Sequence, residues 1–252
     1  MSGNRKTTEA LKKMGKSKTK KHQVAIWVID ETDLVKAIAR PDDWLRIGKS
    51  TQNTVTANPT TNTYDYIDQE QPETELESYS YSMEHDIAAY RGNKDYEWAF
   101  EKFYYADTGD NSKGFVLIAF LDHEDSAGIY KAFVAPATFS VSSADWVSGV
   151  VNISIAFNDT PQTGIVKGSG QPTFVLAPEK PSIVQVENTV TIATETTGAT
   201  IKYTTDRSDP LLHGSTYESE ITLTEDVTVK AVAVKDDAAS RTVKAYCEYT
   251  AP

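Results

Sequence analysis

Two short runs bring metal-ligating and proton-transferring side chains together: Glu84-His85-Asp86 and Asp122-His123-Glu124-Asp125. Ligands on one helix face need spacings of i, i+3 or i, i+4, which adjacent residues do not provide, and an acid-rich turn is ordinarily just solvated. Asp206 and Asp209 suggest a glycosidase carboxylate pair or oxygen ligands for calcium. They belong to Asp206-Arg207-Ser208-Asp209-Pro210, however, and aspartates ahead of Ser and Pro form turns through their own side chains. The four histidines lie in separate segments, and G-x-S-x-G, H-E-x-x-H, the P-loop and G-x-G-x-x-G are all absent. No residue is therefore assigned to catalysis, to a cofactor or to a metal. The single cysteine, Cys247, shares strand parity with Val243, Ala245 and Tyr249, so it reads as a core thiol, and no intrachain disulfide can form.

The elements around these residues are mostly strands. Tyr96–Ala106 predicts one amphipathic helix, with Tyr96, Phe100, Phe103 and Tyr104 on a buried stripe and Glu97, Glu101 and Lys102 off it. Asn93 or Asp95 caps its start, and Gly109 follows its end. Val24–Ile29 is a buried strand, Thr32–Ala39 a turn or short strand, and Trp44–Ile47 the start of another strand. From Lys49 to Gln71 apolar residues become sparse, which predicts a long polar loop. Glu73–Ile87 returns to strand character, with Tyr79, Tyr81 and Met83 on one parity and a wet face at Ser78, Ser80 and Ser82. Phe115–Leu121 is unbroken apolar, Ile129–Val141 is half-apolar, and Val150–Phe157 alternates, so the helix packs on a β-core.

Charge and composition divide the chain. The net charge is −11, yet residues 1–21 hold eight basic side chains against Glu9 alone, a local +7 that leaves −18 on the remainder. An acidic body repels phosphates, whereas a flexible basic arm over 1–22 would contact an acidic neighbour. No apolar run approaches the roughly 20 residues that span a bilayer. Gly, Pro, Thr and Ser gather between Asn158 and Pro181, so 167–177 is expected as a linker between a domain at 23–166 and another at 178–252. Beyond it, short strands recur about every ten residues, the rhythm of a β-sandwich.

Two resemblances rest on these stretches. Residues 199–235 resemble the small immunoglobulin-like module found at the C-terminus of chitobiase-type glycosidases. The residues that carry it are Ile201, Tyr203-Thr204-Thr205-Asp206, Ser208-Asp209-Pro210, Tyr217 and the strand of Val229, Ala231 and Ala233, with Arg207 where a glycine is usual. The resemblance implies a fold and an add-on role, with no catalysis in this module.

Residues 23–166 are similar in layout to the major tail (tube) proteins of long-tailed bacteriophages: an early apolar strand, a long polar loop, a Ser-rich strand, one aromatic helix, and three strands closing at Val151–Asp159. That resemblance implies a tube-type β-sandwich or barrel with one packed helix. It also implies a virion subunit, assembled in the host cytoplasm, that forms stacked and hexameric rings around a DNA conduit. Tape-measure, terminator and distal tail proteins are the implied neighbours, with DNA passing through unbound and the immunoglobulin-like domain facing the host surface. The alternative is a carbohydrate- or cell-surface-binding module protein, which is normally exported, whereas no signal peptide is visible.

Overall fold

The computed structural model describes residues 23–50, 54–67, 70–126, 128–168 and 170–251, so the arm expected over 1–22 lies outside the described residues. The chain is mainly β. In chain order its first nine strands are β1 (Val24–Ile29), β2 (Leu45–Arg46), β3 (Thr54–Tyr64), β4 (Glu73–Ala88), β5 (Lys113–Ser126), β6 (Ile129–Asp145), β7 (Val150–Phe157), β8 (Gln162–Lys167) and β9 (Thr173–Leu176). They make one antiparallel sheet in the order β2-β1-β5-β6-β7-β4-β3. On one edge β6 has two successive neighbours: Ile129–Val134 pairs with β8, and Ala137–Asp145 pairs with β7. The sheet therefore forks at Pro136, and β9 extends the β8 branch.

The unbroken apolar runs of β1 and β5 follow from burial on both faces. Ile26, Val28, Val116 and Ile118 face a core shared with Met83, Ile87, Phe139, Ile153 and Ile155. On the other face, Trp27, Ile29, Phe115 and Leu117 meet Ala37, Trp44, Val166 and Phe174 in a second core. A short helix, α1 (Leu34–Ala39), helps close that second core. Most of the stretch expected as a turn or short strand at Thr32–Ala39 is thus helical. Asp33 accepts from the Val35 and Lys36 amides at 3.0 and 3.3 Å and so starts a helix that the local apolar pattern leaves undefined.

The main helix, α2 (Lys94–Tyr105), lies where the sequence places it but packs a different face. Asp95, Ala99 and Lys102 are its buried residues, whereas Phe103 and Tyr104 are 43 % and 68 % exposed. Of the expected stripe Tyr96 packs against the first core but Phe103 and Tyr104 do not, because the helix approaches the sheet through Ala99 and is held at both ends by polar anchors. The Asp95 carboxylate accepts from the Gly48 and Lys49 amides at 3.1 and 2.9 Å. The Lys102 ammonium lies 3.1 Å from Asp30 and 3.4 Å from Asp107, and donates to the Asn111 carbonyl at 3.0 Å. Trp98 packs edge-on to Phe139 with ring centroids 5.3 Å apart. The remaining rings pile outward, where Phe100 and Phe103 meet Trp146 at 6.2 and 6.0 Å.

Two further expectations change. The polar stretch after Lys49 is not a loop: its 54–64 portion is β3, paired with β4 along its whole length and exposed throughout. Its few apolar side chains, Val55, Ala57 and Pro59 on one parity, are exposed and the rest are mostly Thr and Asn, so its composition resembles that of a loop. The stretch expected as a linker at 167–177 contains β9, and Phe174 is buried in the second core.

The C-terminal residues form eight short strands: β10 (Ser182–Val186), β11 (Thr189–Ala193), β12 (Thr200–Thr204), β13 (Ser215–Thr216), β14 (Ile221–Thr222), β15 (Val227–Lys235), β16 (Ala238–Ala239) and β17 (Val243–Cys247). They build a sheet β10-β11-β14 and a sheet β13-β12-β15-β16, with β17 also on β15. Val190, Ile192, Leu223, Val229, Ala231 and Cys247 fill the space between them. A four-residue helix, α3 (Pro210–His213), follows β12.

Candidate functional site

The chemistry-bearing runs come apart in three dimensions. In Glu84-His85-Asp86 the strand period of two turns His85 into the interior, where its Nδ1 lies 3.3 Å from the Ser50 hydroxyl, while Glu84 and Asp86 face the other way. In the second run, His123 Nδ1 lies 2.9 Å from Asp122, and Glu124 accepts from the Gly128 amide at 2.7 Å to close the β5–β6 turn. The side chain of Asp125 lies outside the described residues. Asp206 accepts from the Ser208 hydroxyl and amide at 2.6 and 3.0 Å, and these hydrogen bonds hold its carboxyl below the usual carboxylate range. Asp209 caps α3 through the Leu211 amide at 2.9 Å. Cys247 is buried, and burial pushes its thiol upward. Among the described residues no three His, Cys, Asp or Glu side chains converge as a metal site.

What the sheet does assemble is a surface. The second half of β6, β7 and β4 turn one face to the first core, and β3 extends their other face at the edge of the sheet. The strand registers set its rows. Thr54, Glu84, Ser154 and Ser140 form one row, and Thr56, Ser82, Ala156 and Thr138 form the next. Asp86, Asn152 and Ser143 form a third. The Asn152 amide donates to Asp86 and accepts from the Ser143 hydroxyl at 2.6 Å, so the row is internally bonded. No Lys or Arg occurs in these rows. The surface offers hydroxyls, amides and carboxylates to water and has no cation for a phosphate.

The same face runs out along the β3–β4 hairpin, which leaves the core beyond Tyr81 as a two-stranded ribbon. A bulge sorts its side chains: Thr60 pairs with Ser78 but Thr61 pairs with Leu76, so Glu77 is the extra residue. Simple alternation would put Glu73 and Glu75 beside Tyr79 and Tyr81. The bulge instead moves them to the serine side, where Glu77 accepts a hydrogen bond from Asn62. Tyr79, Tyr81 and Leu76 then share the opposite side, Tyr79 and Leu76 being about half exposed. Sequence reading places Ser78, Ser80 and Ser82 on a wet face, but the width of that face depends on pairing between distant strands.

Near the C-terminal sheets, a cleft of about 670 Å³ opens between Phe120, Phe133 and Ile165 on one side and Leu211, Val232 and Arg241 on the other. Lys167 of β8 bridges to Asp237 at 2.9 Å beside it.

Among the described residues, no helix is long and apolar enough to cross a membrane. No curated protein matches the chain. Residues 180–245 match the chitobiase/beta-hexosaminidase C-terminal domain family, the stretch that folds as the two C-terminal sheets. With its Asp-Pro corner, its paired sheets and that match in place, the C-terminal part is an immunoglobulin-like domain similar to those of that family.

Proposed function

We propose that this chain is a structural, non-enzymatic subunit that assembles into stacked rings and forms the tube of a bacteriophage tail, with the cation-free sheet face lining the lumen. The observation that carries this reading is the four-strand polar surface without Lys or Arg. Double-stranded DNA presents one negative charge per about 1.7 Å of axis, so a conduit must not offer it salt-bridge partners. A lining of hydroxyls and carboxylates keeps a hydration layer and repels the backbone.

The edges of the sheet support the same reading. Among the described residues β3 pairs only with β4, and β2 only with β1, so both ends of the strand order carry open edges. Open edges are hazards in a monomer and joints in an oligomer, and a closed ring removes them. The projecting ribbon then reaches toward the adjacent ring. In this arrangement the tape-measure, terminator and distal tail proteins meet the tube at its ends, and the immunoglobulin-like domain decorates its outside.

Negative-stain microscopy of the purified protein tests the proposal, with rings or tubes of uniform diameter as the expected result. A species that stays monomeric by analytical ultracentrifugation over the full accessible concentration range would overturn it.

A further inference from the structure

We propose that residues 1–21 dock along the β3–β4 ribbon of their own chain in the free subunit. This inference concerns the isolated chain and is independent of the tube reading.

Among the described residues the ribbon has no partner beyond the pairing of its own two strands. All of β3 and the first half of β4 are exposed, although Leu76, Tyr79 and Val55 are among their side chains. Its charge is one-sided, since residues 50–90 hold eight carboxylates and no Lys or Arg. Glu73 and Glu75 form no ion pair among the described residues. The complementary charge lies in residues 1–21, with eight basic side chains and only Glu9 opposed. Ammonium groups on long methylene stems suit the glutamate side of the ribbon, where Tyr64 lies opposite Glu73, because a stem can lie along the ring while the charge reaches the carboxylate.

The root of the arm lies on the same sheet as the ribbon's base, with β5, β6 and β7 between β1 and β4, about 19 Å away at the spacing of strands. Val24 is opposite Phe120 in the β1–β5 pair. From Phe120 a chain of ring contacts leads to Phe133 at 5.7 Å, Phe157 at 6.3 Å, Tyr81 at 5.9 Å and Tyr79 at 5.9 Å. Β3 spans about 35 Å at the rise of a strand, and the arm can extend to about 70 Å. Tethering at that root holds the arm at an effective concentration of roughly millimolar, well above that of a second copy at micromolar protein.

Zero-length carbodiimide cross-linking of the full chain in about 50 mM salt tests the contact. Amide bonds are expected between arm lysines and Glu73, Glu75 or Glu77, within single chains when isotopically light and heavy protein are mixed. Trypsin should cut the arm about tenfold more slowly than a free peptide of residues 1–21, and this protection should vanish at about 500 mM salt. The triple variant Glu73→Gln/Glu75→Gln/Glu77→Gln should lose it as well. The equal charge change Glu218→Gln/Glu220→Gln/Glu225→Gln should keep it. Circular dichroism verifies that both variants remain folded. Cleavage as fast as in the free peptide, equal protection in both triple variants, or cross-links only between light and heavy copies would each overturn the proposal.

Discussion

At the scale of single residues, burial rather than residue type separates structural from dispensable aromatic side chains. Phe139 is 1 % exposed beneath Trp98, so Phe139→Ala should destabilise the first domain by about 3–5 kcal/mol in denaturant melts. Phe103→Ala, on the outer pile, should cost no more than about 1 kcal/mol. Arg207 occupies a left-handed conformation at φ 66° in the Asp-Pro corner. Glycine adopts that conformation without a Cβ clash, so Arg207→Gly should raise the stability of the immunoglobulin-like domain by about 0.5–1 kcal/mol, net of its greater chain entropy. Calorimetry of the C-terminal transition measures the gain. Asp206 in the same corner binds its proton less readily in the folded chain than its unfolded value near 4 would require. Its contribution is therefore fully present above that unfolded value and is lost as pH falls through the lower folded one. Asp206→Asn should flatten the acid limb of the melting temperature between about pH 2 and 5 and leave its pH dependence near neutrality unchanged.

Among the elements, the ribbon is the clearest case of structure without a core. None of its residues between Asn58 and Ser80 belongs to a buried cluster. Replacing that span with a two-residue Asn-Gly turn between Ala57 and Tyr81, which are directly paired, should keep the fold and move the melting temperature by only a few degrees. The same variant should fail to stack into long tubes. Normal tubes from the shortened chain would show that the ribbon is not a stacking element. The helix teaches a related point. Its periodicity locates α2, but the inner face is chosen by Ala99, the smallest residue available for close approach, and by the anchors Asp95 and Lys102. An amphipathic pattern cannot distinguish a stripe that packs on the sheet from one that packs on Trp146.

On the scale of the whole molecule, the C-terminal sheets have their own core, which shares no residue with the other two. Removing everything after Ala177 should leave the first domain folded and still able to assemble, as circular dichroism and microscopy would show. The cut must follow Ala177, whose amide donates to the Thr163 carbonyl at 2.9 Å. Ending the chain at Thr173 would delete Phe174, which is 3 % exposed, and should destabilise the domain by about 3–5 kcal/mol.

Local chemistry made several features legible from the sequence. The apolar runs of β1 and β5, the alternation of β7, the position of α2 and the Asp-Pro corner each depend on neighbours a few residues away, and each appears where the pattern puts it. Cys247 likewise follows from strand parity. Tertiary pairing decided the rest. β3 carries only a short alternation at Val55, Ala57 and Pro59 and is exposed along its whole length, and β9 is too short to stand out from a Gly- and Pro-rich stretch. The bulge at Glu77 is a relation between two strands and leaves no mark on either one. The polar face arises only when β3, β4, β7 and β6 come into register, for each strand alone carries a few hydroxyls and carboxylates, and a continuous cation-free surface is a property of their alignment.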